Sequence, residues 1–301
     1  MLLALVPALA EGKIVNVELK FTPYVGDAAK AAKVETVPGT ADIFLNGVPY
    51  AVQDVGKDSV PVMSAGREIA PAVWLPIDSL GPAVRKGKNV VRIEFTPSDA
   101  DKSYHARLTW GSVTDEERTS EKNGKHRATN TTDVGKQDKS GKGKVVFEHE
   151  VDADFADDVP WHHYPAVTTV GDEDKQKLTA LVMARVGIFK PPFAEMYRIL
   201  EADDRLNVDK MREAKCVDAA YAAGVRVDVP TAEQLEFVTT GNPEVVVRRK
   251  TGNLFAPADP SVFGKIEGDD AQMCAGVALS LAFPPKLVAV RTPDGSWKVV
   301  Y

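Results

Sequence analysis

Ile14-Val15-Asn16-Val17-Glu18-Leu19-Lys20-Phe21-Thr22 sets the reading of the first half of the chain. Val15, Val17, Leu19 and Phe21 fall on one side, and Asn16, Glu18 and Lys20 on the other. A period of two belongs to a strand with one buried face and one wet face. The signature recurs outward from this stretch. A strand at 42–45 runs into Asn46-Gly47, a pair favoured in tight turns with positive φ. Residues 73–77 form a short apolar strand. Gly87-Lys88-Asn89 turns into a strand at 90–95 that Pro97 stops, and residues 104–110 alternate again. Residues 53–72 are rich in Gly, Pro, Asp and Ser and read as a long loop. Short strands separated by turn residues predict an all-β antiparallel sandwich.

Beyond this the pattern changes. Between 112 and 143 only Val113, Ala128 and Val134 are aliphatic, which predicts a disordered insertion, because such a stretch buries too little to offset its ordering entropy. A strand resumes at 144–155, so the sandwich domain is expected to span 11–158. Residues 159–171, containing Trp161-His162-His163-Tyr164-Pro165, read as a hinge. The remainder, 172–301, reads as an α+β domain with helices packed on a curved antiparallel sheet. Helices are expected at 172–187, 192–203 and 208–223, the last with Asn207 as N-cap and Gly224 just past its end, and a shorter one from Thr231 to about 238. Strands are expected at 244–249, 262–267, 273–283, 286–291 and 296–301. Within 273–283, Val277, Leu279, Leu281 and Phe283 alternate with Ala278, Ser280 and Ala282. Thr292-Pro293-Asp294-Gly295 supplies a hairpin turn.

The 301 residues suffice for two domains with real cores. A net charge of −6 gives no broad reason to bind nucleic acid, whose backbone attracts excess Lys and Arg. No stretch approaches the roughly 20 apolar residues of a membrane-spanning helix. Residues 1–10 form an apolar run ending in Ala8-Leu9-Ala10, which reads as the end of a signal peptide without its basic region; an apolar first strand or a frayed terminus is the other reading. Export would place the protein in the periplasm or outside the cell. There a disulfide between Cys216 and Cys274 is allowed, two buried thiols being the alternative.

Residues 42–97 resemble the galactose-binding-like jelly roll, an accessory module of many glycoside hydrolases. The likeness rests on Ile43-Phe44-Leu45-Asn46-Gly47, Leu75-Pro76-Ile77-Asp78 and Arg85-Lys86-Gly87-Lys88-Asn89-Val90-Val91. It implies a fold whose members bind sugars or act as spacers. Residues 170–301 look like the nuclear transport factor 2-like cone, carried by Pro293-Asp294-Gly295-Ser296-Trp297-Lys298-Val299-Val300. That superfamily includes both enzymes and inert binding domains.

Several groups are candidates for chemistry. Trp161, His162, His163 and Tyr164 could bind a ligand, or pack their rings in a seam. Glu148, Glu150, Asp152 and Asp154 share one face of a strand whose other face carries Phe147, Val151 and Phe155, so they could attract calcium; neighbouring Lys or Arg is the plainer compensation. The five histidines, His105, His126, His149, His162 and His163, all precede residue 172. Acid–base chemistry in the second domain would fall to Asp203, Asp204, Tyr197 or Tyr221, or those groups are simply surface. Nucleotide-loop, metalloprotease and serine-hydrolase motifs are absent from the sequence. Three functions follow as expectations: an exported binding or structural protein with a glycan or protein partner and no required cofactor, an exported saccharide hydrolase using carboxylates, and a subunit of a surface assembly.

Overall fold

The computed structural model describes residues 13–63, 67–120, 124–203 and 206–301. The signal-like run 1–10 lies outside the described residues. The chain divides into two compact units between His162 and His163.

The first unit is antiparallel β throughout its named strands. In order they are β1 (Lys13–Val25), β2 (Lys33–Thr36), β3 (Gly39–Leu45), β4 (Val48–Val55), β5 (Ser59–Pro61), β6 (Val73–Pro76), β7 (Lys88–Pro97), β8 (Tyr104–Ser120), β9 (Gly124–Gly141) and β10 (Val145–Asp152). One sheet runs β5-β2-β1-β8-β9, with β6 also paired to β1; the other runs β10-β7-β3-β4. Their inner faces meet at Phe21, whose ring centroid lies 5.7 Å from those of Phe95 and Phe147. Val17, Leu19 and Phe21 are buried while Glu18 and Lys20 stay on the wet side, as the period of two requires. Asn46 (φ 51°) and Gly47 (φ 81°) make the β3–β4 turn, where two positive φ values suit Asn-Gly. The Asn46 amide donates to buried Asn89 at 2.9 Å, and Asn89 donates to the carbonyls of Arg85 and Gly87, so one polar knot ties two turns together.

Two expectations for this unit are corrected. The described residues of 112–143 are not a disordered insertion. Most of them belong to β8 and β9, paired from Tyr104–Gly141 to Ser120–Gly124. Poverty in aliphatics removes a core, but β8 pairs with β1 as far as Asp115 and with β9 along its length, so the backbone is satisfied with little core. Thr109, Thr114, Thr129, Thr131 and Thr132 favour the pleat, and Arg107 pairs with Asp138 directly opposite at 2.6 Å. An Arg127–Asp115 ion pair adds a diagonal tie. The loop expected at 53–72 is interrupted by β5 and by a Val62–Ile69 bridge. A 3₁₀ segment at Ile77–Ala83, which buries Ile77 and Leu80, was not expected.

The second unit contains α1 (Asp172–Val186), α2 (Ala194–Leu200), α3 (Val208–Glu213), α4 (Cys216–Ala222), β11 (Leu235–Thr239), β12 (Glu244–Arg249), α5 (Asp269–Ala282), β13 (Leu287–Arg291) and β14 (Trp297–Val299). The strands form an antiparallel meander in the order β11-β12-β13-β14. One apolar core joins Leu178 and Val182 of α1, Met196 and Leu200 of α2, Val217 of α4, Val245 and Val247 of β12, and Trp297. Asp174 fixes α1 to the last hairpin, accepting from Trp297 Nε1 at 2.9 Å and from Arg291 at 2.5 Å.

The largest correction is α5. Residues 273–283 are helix, not strand. Ala275, Ala278, Leu279 and Ala282 are the buried positions, a spacing of three and four that only a helix satisfies. Residues 262–267 are not a strand; most of them fall in a 3₁₀ turn at Pro260–Lys265. The helix expected over 208–223 is broken into α3 and α4 at Lys215, which takes φ 52°. The helix expected after Thr231 is one 3₁₀ turn closed by a Thr231–Gln234 capping box, and β11 follows at once.

Candidate groove on the first unit

The outer face of the β1–β8–β9 sheet carries a groove of about 480 Å³. The alternation that buries Leu19 and Phe21 sends Glu18 and Lys20 outward. Register then places Thr109 beside Lys20 and Lys136 beside Thr109, so three strands contribute polar side chains to one surface. Arg67 and Glu68, on the segment before β6, form a further part of the lining.

Two glycines shape the inner end. The β8–β9 register shifts between Trp110 and Ser112, so that Asp133 and Val134 of β9 oppose the single Gly111 of β8, a bulge in β9 with Asp133 at φ 51°. A Cβ on Gly111 would lie 2.6 Å from the Thr131 methyl, and one on Gly135 would lie 2.4 Å from the Trp110 indole. The Trp110 ring therefore covers Gly135, and it stacks on His149 of β10 with centroids 3.8 Å apart. Burial holds the His149 imidazole below its ordinary range, against an opposing pull from Glu150.

The charges are organised. Lys20 Nζ lies 3.8 Å from Glu18 and 3.6 Å from Glu68. Arg107 donates from Nη1 to the Arg67 carbonyl at 3.1 Å, in addition to its pair with Asp138. The Arg67 guanidinium is spent on the carbonyls of Ala28 and Ala31, at 2.6–2.9 Å, which locks the wall in place. Lys136 is exposed beside these pairs. The groove thus offers carboxylates, cations and a threonine hydroxyl on a fixed framework. An acid–base pair would need one carboxyl kept in apolar surroundings; Glu18 and Glu68 instead share an ammonium.

The residues singled out in the sequence lie elsewhere. Glu148, Glu150, Asp152 and Asp154 are all exposed. Glu150 pairs with Lys88 at 2.8 Å, and Glu148 and Asp152 stand opposite Arg92 and Lys88 in the ladder. Among the described residues no group of three or more His, Cys, Asp or Glu is placed to hold a metal ion. In the first unit, Trp161 meets His162 edge-on at 4.2 Å, and buried His162 donates from Nε2 to the Pro82 carbonyl at 2.9 Å. In the second unit, His163 is exposed and Tyr164 half-buried. Tyr197 is buried beneath Arg212, with its phenol pushed up by burial, and Tyr221 belongs to an aromatic cluster with Phe189 and Phe193. Asp203 ends a turn after α2, and Asp204 lies outside the described residues. Cys216 and Cys274 are bonded, with Cα atoms 5.9 Å apart, joining α4 to α5.

None of the groove residues stood out in the sequence. Glu18 and Lys20 looked like any wet strand face, and Arg67–Glu68 like loop text. Only the pairing of distant strands brings them together. No protein-family model, curated protein or solved structure matches the chain.

Proposed function

We propose that this is an exported, non-catalytic binding protein whose first unit takes a hydroxyl-rich saccharide in the groove. The observation that carries this reading is the lining itself: Glu18, Lys20, Glu68, Thr109 and Lys136 converge on a cavity of about 480 Å³ built on paired strands. Sugar hydroxyls both donate and accept, so a surface offering carboxylates beside cations can satisfy them. A galactose-binding-like jelly roll, which residues 42–97 resemble, would agree with this reading, and the two antiparallel sheets whose inner faces meet at Phe21 are compatible with it. The Cys216–Cys274 bond agrees with an oxidising compartment. Among the described residues no helix is long and apolar enough to cross a membrane.

Binding of the full chain to a glycan array, with and without calcium, tests the proposal. A hit should be weakened about tenfold or more by Lys136→Ala and by Glu68→Gln, and be indifferent to calcium. No glycan bound in either condition would reject the saccharide. Hydrolysis of a bound glycan that both Glu18→Gln and Glu68→Gln abolish would convert the reading to the hydrolase.

A further inference from the structure

We propose that the second unit holds a small amphipathic carboxylate, its apolar body between α5 and the segment 225–227 and its anionic end at Arg226. The pocket measures about 420 Å³, within the range of sites for small organic ligands. Val225, Val227, Phe255, Phe263, Leu279 and Phe283 make it apolar, and among the described residues no carboxylate or histidine lines it. Phe255 and Phe283 meet edge-to-face at 5.6 Å, and Phe283 meets Phe189 at 6.0 Å, so the pocket wall is continuous with the core.

The walls are built rather than merely open. Val227 bridges to Pro257, the Asp228 amide donates to Ala256 at 2.8 Å, and the Ala258 amide donates to Arg226 at 2.9 Å. The Leu254 amide donates to Pro285 at 2.8 Å and closes the third side. The polar groups sit at the rim. Arg226 lies 3.8 Å over the Tyr221 ring and spends Nη1 on the carbonyls of Tyr221 and Val225. Among the described residues this leaves Nε and Nη2 as its donors toward a ligand. Exposed Asn253 and Ser280 complete the rim.

Gly276 is the independent observation. It stands inside α5, where glycine costs about 1 kcal/mol relative to alanine. A Cβ there would meet nothing within 4 Å, so packing does not ask for glycine. Gly276 lines the pocket, and its missing side chain keeps that space open.

Calorimetric titration of the full chain with decanoate and with decan-1-ol tests this. One decanoate should bind per chain and saturate. Gly276→Leu should abolish binding without changing the near-ultraviolet circular dichroism, while Gly276→Ala should retain it. Should Gly276→Leu not fold, Ser280→Trp at the rim gives the same blockade. Arg226→Gln should weaken decanoate about tenfold and leave decan-1-ol unchanged. A second apolar surface on α5, exposed Met273 and Val277, supplies the control: the double variant Met273→Ser/Val277→Ser should bind as before. Absence of decanoate binding, full binding in a folded blocked variant, or loss in the double variant would overturn the pocket assignment.

Discussion

Gly135 has no side chain, and the Trp110 indole occupies the space one would need. A Cβ at 2.4 Å from that ring cannot be accommodated without moving β9 or breaking the Trp110–His149 stack. Gly135→Ala should therefore cost about 1–3 kcal/mol, the usual cost of overpacking, read from urea denaturation followed by tryptophan fluorescence. The partner ring carries its own signature. Burial disfavours the charged imidazolium of His149, so its folded pKa lies below the unfolded value of about 6.5. The unfolded chain then takes up the proton first. The stability tied to neutral His149 is complete above the unfolded value and declines as pH falls through it toward the folded one. Melting temperatures between neutral and mildly acidic pH should fall less steeply in His149→Gln than in the parent; equal slopes would remove His149 from the account.

At the scale of elements, legibility followed water. β1, β3 and β7 each have one wet face and one dry face, so their period shows in the text. β8 also shows a dry face at its start, in Tyr104, Ala106 and Leu108, but the rest of β8 and β9 has too few aliphatics to show one, and its strand character resides in pairing between residues as distant as Thr109 and Lys136. α5 misled for the opposite reason. Small Ala and Ser residues between Val277, Leu279 and Leu281 satisfy both periods on paper, and only burial of Ala275, Ala278 and Ala282 decides for the helix. The candidate groove was hidden because each contributor is ordinary in its own strand. The cysteines were legible as a pair but not as a bond, since sequence carries no Cα separation. That bond closes a loop across a sequence separation of 58, which in the chain-entropy picture stabilises by about 4 kcal/mol. Cys216→Ala/Cys274→Ala should lower the denaturation midpoint of the second unit and loosen decanoate binding, because α5 is one pocket wall.

At the scale of the molecule, the core of the second unit is drawn wholly from residues between Val167 and Val299, while Phe21, Phe95 and Phe147 anchor a separate one in the first. The knot of Asn46 and Asn89 and the Cys216–Cys274 bond each serve one unit alone. Two cores with separate fastenings predict two cooperative transitions, which selective perturbation should assign. A reductant should lower only the transition of the second unit, and decanoate should raise that same one by mass action. A groove-binding saccharide should raise only the other. Differential scanning calorimetry of the full chain reads all three. A single transition that shifts as a whole under each perturbation would mean that the two cores unfold as one, and would defeat the assignment of separate ligands to separately stable units.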